Sequence, residues 1–124
     1  MSYRSLHRLT LWLWLGRSAI VGVLALSLVP LPQIPLTPPQ SDKLEHLVAN
    51  FALTFWYAQL CADTRALAWR ALGFVALGGI IEILQGFTAY RSAEWLDFVA
   101  DGAGVAVGFA LGTTSAGRWL QRLS

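Results

Sequence analysis

The chain is poor in charge. Only 13% of its 124 residues are Asp, Glu, Lys or Arg, against roughly 25% in an average soluble domain, while 56% are hydrophobic and the mean hydropathy is +0.54. That balance excludes an ordinary soluble globule and points to a membrane protein. Cysteine is nearly absent. The single Cys61 can form no internal disulfide and is too little for a thiolate metal site, so it reads as a small apolar residue at a helix end. Basic residues exceed acidic ones only nine to seven, with a pI near 9.1. No basic stripe and no interleaving of aromatic with basic residues accompanies that excess, so no nucleic-acid partner is expected. There is no Ser-His-Asp order, no phosphate loop and no HExxH, and no cofactor is expected. No soluble domain, internal repeat or low-complexity tract is left over.

What is present is a series of apolar runs. Residues 9–29 are apolar apart from Thr10, Arg17 and two serines, a length of about 20 residues that suits a bilayer crossing. Arg4, His7 and Arg8 before it resemble the n-region of a signal peptide. The run is longer than a usual h-region, however, and "LSLVPLPQ" lacks a small-x-small cleavage site. Arg17 leaves two spans open: either it faces the bundle, or the crossing starts near Ser18 with Trp12 and Trp14 at the interface. All five prolines fall within residues 30–39, where each removes a donor and fixes φ, so that stretch is a loop. Ser41 or Asp42 can cap the next helix, and Asp42 with Glu45 has capping-box spacing. The expected architecture is all-α: a single domain, 1–124, forming a four-transmembrane-helix bundle with helices at about 9–29, 42–61, 66–87 and 94–114.

Arg4 and Arg8 precede the first helix, Arg65 and Arg70 lie around the second turn, and Arg118 and Arg122 follow the last helix. These are alternate loops, which fall at one end of the bundle, so the positive-inside rule places both termini and the 62–70 turn in the cytoplasm. The other two connections, which carry only Lys43 and Arg91 with Asp42, Glu45 and Glu94 beside them, then face outward.

Polar residues converge near that outer face. Lys43, His46, Asn50 and Tyr57 share one face of the second helix by their spacing of three, four and seven. His46 should lie about 6 Å inward from Asp42, Glu82 about 7 Å below the outer end of the third helix, and Asp101 about 10 Å into the fourth. Gln85 shares the face of Glu82, and Asp97 that of Asp101. Gly104, Gly108 and Gly112 form a small-xxx-small series that admits a neighbouring helix, and Gly78 and Gly79 precede Glu82 by one turn. Close packing of the third and fourth helices would carry Glu82 towards the aspartates. An ionisable group in the hydrocarbon region costs a few kcal/mol and is a functional candidate by default. His46, Glu82 and Asp101 are therefore the candidate catalytic set, with Lys43, Asn50, Gln85, Arg91 and Asp97 as candidate binding residues. For Asp42 and Glu45 capping is the better explanation, and for Asn50 and Tyr57 interhelical hydrogen bonding is as good as a ligand role. No metal is assigned, since nothing here has the tight spacing of a zinc signature.

Taken in order, these residues resemble the VanZ-like family of small membrane proteins. "SDKLEHLVANF" is similar to its DK-x-x-H element, "EILQGF" to its E-x-x-Q element, followed by the arginine of "AYRSAEWLD", and "DFVADGAGVAVG" to its D-x-x-x-N/D-x-x-G-x-x-x-G ending. Asp101 stands where many members carry asparagine, which adds an acid to the pattern. The resemblance covers residues 42–112. It implies four transmembrane helices in a bacterial plasma (inner) membrane and, through the founding member, a link to susceptibility to teicoplanin, a lipoglycopeptide acting at the outer envelope surface.

The functional expectation is an outward polar pocket that acts on or binds an envelope component. Membrane lipids or a lipid-linked precursor are the expected partners, with a membrane-protein partner or a second copy of the chain as further ones. In an enzyme, His46 and Glu82 would form an acid-base pair while Arg91 holds an anionic head group. Recognition without chemistry would use the same groups. Transport is the third class, but no pair of inverted, broken hydrophobic segments is visible.

Overall fold

A computed structural model of the protein describes residues 3–28, 41–87 and 95–123. These form α1 (Leu9–Leu28), α2 (Ser41–Leu60), α3 (Thr64–Gln85), α4 (Trp95–Gly112), a 3-10 turn (Ser115–Arg118) and a short α5 (Trp119–Leu123). No strand occurs among the described residues, only an isolated bridge between Tyr3 and Cys61. The expected proline loop lies outside the described residues.

The helix ends differ from the expected ones for local reasons. α3 starts two residues earlier than its apolar run because the Asp63 carboxylate accepts a hydrogen bond from the Ala66 amide at 2.8 Å, an N-cap that draws Thr64 and Arg65 into the helix. α2 begins at Ser41, which puts Ser41 and Asp42 in its first turn rather than ahead of it. Past α4 the chain does not trail off: Thr114 accepts from the Ala116 amide and opens the 3-10 turn.

α1, α3 and α4 are each long and apolar enough to cross a membrane. α2, also 20 residues, is not apolar enough, so composition supports three spans and not the expected four. The reason is its place in the fold. α2 turns Asn50, Thr54 and Gln59, with Leu53, Tyr57, Ala58 and Leu60, against its neighbours and leaves the apolar Leu44 and Val48 exposed. Polar residues buried against other helices lower its mean hydropathy without facing the surroundings. The outer surface carries the greasy residues instead: Val21, Leu72, Ile83, Phe87 and Trp95 are exposed, while Glu82, Asp97 and Asp101 are buried. That inversion suits an apolar solvent.

The glycine series sets how α2 and α4 meet. A Cβ at Gly104 would collide with the Leu47 carbonyl oxygen, one at Gly108 would lie 2.8 Å from the Thr54 Cβ, and one at Gly112 would lie 2.5 Å from the Ala58 Cβ. The contacts climb both helices together, so α2 and α4 run parallel with backbones in close approach. The expected use of this series, bringing α4 against α3, is thus corrected: its partner is α2. Gly78 and Gly79 do face α4, at Asp101 and Phe98, and α3 runs antiparallel to it. α1 packs more loosely. Gly16 is its only buried residue among those described, set under Trp56 and Tyr57, and the Trp56 indole donates to the Trp12 carbonyl at 3.0 Å. Arg17 is exposed and stacks over Trp14 at 5.6 Å, which removes the reading in which it faces the bundle.

Candidate functional site

Parallel packing of α2 and α4 brings His46, one turn into α2, level with Asp101, one turn past Asp97. His46 Nδ1 lies 2.9 Å from Asp101 Oδ1, and the same oxygen accepts from Asn50 Nδ2 at 2.7 Å. Asn50 also donates to the His46 carbonyl at 2.9 Å, which ties its amide to the turn that carries the imidazole. An ionised carboxylate only accepts, so with Asp101 ionised Nδ1 carries a proton, and in the neutral imidazole Nε2 is left as the acceptor. Nε2 lies 4.0 Å from Asp97 Oδ2. This is the geometry of a histidine oriented by one acid, with its second nitrogen directed elsewhere.

Asp101 is 2% exposed, and it fits because α3 supplies a glycine opposite it. A Cβ on Gly78 would lie 2.7 Å from Asp101 Oδ2. The sequence shows Gly78 only as a small residue at a helix contact; its work is to make room for a carboxylate.

The cluster forms one wall of a cavity of about 320 Å³ to which all four long helices contribute. Its lining mixes the polar Glu45, His46, Asn50, Gln85 and Asp101 with the apolar Leu53, Leu77 and Ile81, and α1 contributes only the apolar Val23 and Leu26. A few convergent polar groups on an apolar ground are the usual form of a small-molecule site. Among the described residues none of its lining side chains is a serine, threonine or cysteine, so no hydroxyl or thiol nucleophile stands beside His46.

Of the candidate residues, His46, Asn50 and Asp101 are brought into direct contact, Gln85 lines the same cavity, and Asp97 stands beside the imidazole. Glu82 is buried one turn beyond Gly78. It is Asp101, not Glu82, that touches the imidazole, which alters the expected acid-base pair. Arg91 and the Lys43 side chain lie outside the described residues. Tyr57 leaves the group: it sits nearly three turns further along α2, packed on Phe74 at 5.5 Å and under the Arg70 guanidinium at 4.7 Å. Its expected interhelical hydrogen bond is not made, since its hydroxyl is buried without a hydrogen-bond partner. Two contributors were missed. Glu45 was assigned to capping but lines the cavity, and the α1 wall of Val23 and Leu26 carries no sequence signal because these residues look like any others facing lipid. Among the described residues no group of three or more His, Cys, Asp or Glu side chains is arranged to hold a metal ion.

Fold and site together define an all-helical protein with three helices long and apolar enough to cross a membrane and a cavity lined by both polar and apolar residues. Comparison with family models, with curated proteins and with solved structures gives no match.

Proposed function

We propose that this is a four-span, VanZ-like protein of a bacterial plasma membrane whose cavity receives the polar part of an amphiphilic envelope component, a lipid or lipid-linked precursor. The observation that carries the reading is the cavity itself, lined by the part-buried His46 and the buried Asn50 and Asp101 together with the apolar Val23 and Leu26 of α1. A polar head group satisfies the first set and an acyl or isoprenyl stem the second. α2 is the fourth span, its 20 residues reaching about 30 Å, with its polar residues turned to α4 and the cavity. The six arginines at positions 4, 8, 65, 70, 118 and 122 mark the cytoplasmic end, so the cavity opens on the outer half of the membrane. The VanZ-like resemblance makes teicoplanin susceptibility the physiological readout.

Recognition is the primary role, because among the described residues no hydroxyl or thiol lines the cavity. One observation favours a second, acid-base reading: the pairing of His46 Nδ1 with Asp101, which leaves Nε2 to exchange a proton with a bound group.

The test is expression of His46→Ala, Asp101→Asn and Glu82→Gln variants in a bacterial host in which the intact chain changes teicoplanin susceptibility. Lipids that copurify with each variant are identified by native mass spectrometry. The reading expects His46→Ala to lose both the phenotype and a specific copurifying amphiphile. Full phenotype from His46→Ala and Asp101→Asn at normal membrane levels would sink it. Glu82→Gln sharpens the choice of role, since retained activity there removes Glu82 from proton transfer.

A further inference from the structure

The opposite end of the bundle holds a second hollow, of about 190 Å³, that the function proposed above does not use. Its rim combines Arg4 from the N-terminal segment, Arg118 from the 3-10 turn, and Asp63 with Thr64 at the start of α3. Topology accounts for arginines collecting at this end, but not for two of them lining one enclosed space without a carboxylate each. Among the described residues neither Arg4 nor Arg118 is in an ion pair. Arg4 is held in place by its backbone, whose amide donates to the Leu60 carbonyl at 2.6 Å, and by Nη1, which donates to Gln121 Oε1 at 3.3 Å. Its Nε is buried with no hydrogen-bond partner. Burial, and after it the positive field of Arg118, push the Arg4 pKa below its ordinary value; two guanidiniums share a space that contains no counter-ion for the second.

The remaining polar groups are already committed. Asp63 Oδ1 is taken by the Ala66 amide, and the Thr113 and Thr114 hydroxyls donate to carbonyls three residues back. The first turn of α3 adds amides, those of Thr64 and Arg65, that have no intrahelical acceptor, with the positive end of the helix dipole behind them. Charge on the rim is two guanidiniums against one carboxylate, a surplus of one.

We propose that this hollow binds a singly charged phosphate group, with Arg4 and Arg118 as its charged donors. Arginine suits the task because its planar fork offers parallel donors to phosphate oxygens. Basic hollows between membrane helices at the arginine-rich end are a known setting for acidic head groups. The phosphate comes either from the diester of an anionic phospholipid or from free inorganic phosphate, and the chemistry of recognition is the same.

The full chain, purified in dodecyl maltoside, is titrated with short-chain phosphatidylglycerol, with inorganic phosphate, and with phosphatidylcholine, whose phosphate is neutralised by its own ammonium. The midpoint of thermal unfolding is the readout. A rise with phosphatidylglycerol alone identifies a lipid head group, and a rise with inorganic phosphate as well identifies a site for the free anion; either supports the assignment. Arg118→Gln should weaken binding about five-fold, Arg118→Lys should keep most of it, and Arg8→Gln, an exposed position that does not line the hollow, should change nothing. Arg118 is exposed, so Arg118→Gln folds even if Arg4→Gln does not. No rise with either anion, an equal rise with phosphatidylcholine, or wild-type affinity in Arg118→Gln would each overturn the proposal. None of these results bears on His46 or the cavity at the other end.

Discussion

The two ends of the bundle hold together by different means. At the acidic end, side chains of separate helices bond to one another: Asp101 of α4 accepts from His46 and Asn50 of α2 inside a space that Gly78 of α3 leaves open. At the arginine-rich end, side chains bond to backbone as well as to one another. The Gln59 amide donates to the Ala116 carbonyl at 3.0 Å and its oxygen accepts from the Leu120 amide at 3.0 Å, so one buried residue of α2 fastens the 3-10 turn and α5. Arg70 donates to the Tyr3 hydroxyl at 2.5 Å and lies over the Tyr57 ring, which joins α3 to the N-terminal segment. Side-chain networks of the first kind can change partner when a ligand arrives. Clamps of the second kind satisfy fixed backbone groups and have nothing to exchange. The first end thus holds its helices together through side-chain partners, while the second fastens the 3-10 turn, α5 and the N-terminal segment around its hollow.

The contrast can be broken most severely where both ends depend on one packing. Gly108→Val would drive a side chain into the Phe51 carbonyl and Thr54, separating α2 from α4; a loss of about 3 kcal/mol or more is expected, read as reduced membrane accumulation and a lowered unfolding midpoint. Asp101→Ala should cost nearly as much, about 3 kcal/mol, because it strands the buried Asn50 amide and the imidazole, whereas Asp101→Asn should recover most of the stability. Comparing their unfolding midpoints separates loss of charge from loss of the acceptor. Gln59→Ala should cost about 2 kcal/mol and act only at the arginine-rich end. Hydrogen exchange should then quicken at Leu120 while the amides of α2 around Asn50 keep their protection, and quickening at both ends would mean that the two ends are not independent. Asp63→Ala should be the mildest, about 1 kcal/mol, seen as fraying of the first turn of α3.

Intramembrane ionisable residues are conspicuous in a sequence, and at the acidic end this was enough: His46, Glu82, Gln85, Asp97 and Asp101 could be assigned to similar depth from helix length alone, and His46 and Asp101 do meet. Which acid touches the imidazole was not legible, because depth fixes position along a helix and not rotation about it. Nor was the partner of the glycine series, since small residues admit any neighbour that comes. Tyr57 shows the limit of face-sharing arguments. It lies on the stripe with His46 and Asn50, yet sits nearly three turns away among Phe74 and Arg70. The arginine-rich end was less legible still. Gln59 is one glutamine in an apolar run, and the carbonyl and amide that it clamps are present in every residue, so nothing in the residue types marks the pair.

The sequence by itself determined an all-helical chain with long apolar helices and the matching level of His46 and Asp101, because these follow from apolar run length and the fixed rise of the helix. Tertiary structure alone decided which face of α2 is buried, that α4 lies parallel to it with glycines in the seam, that Gly78 makes room for Asp101, and that Arg4 and Arg118 line one hollow. Those are relations between surfaces of different helices, and they are set by which faces can approach most closely.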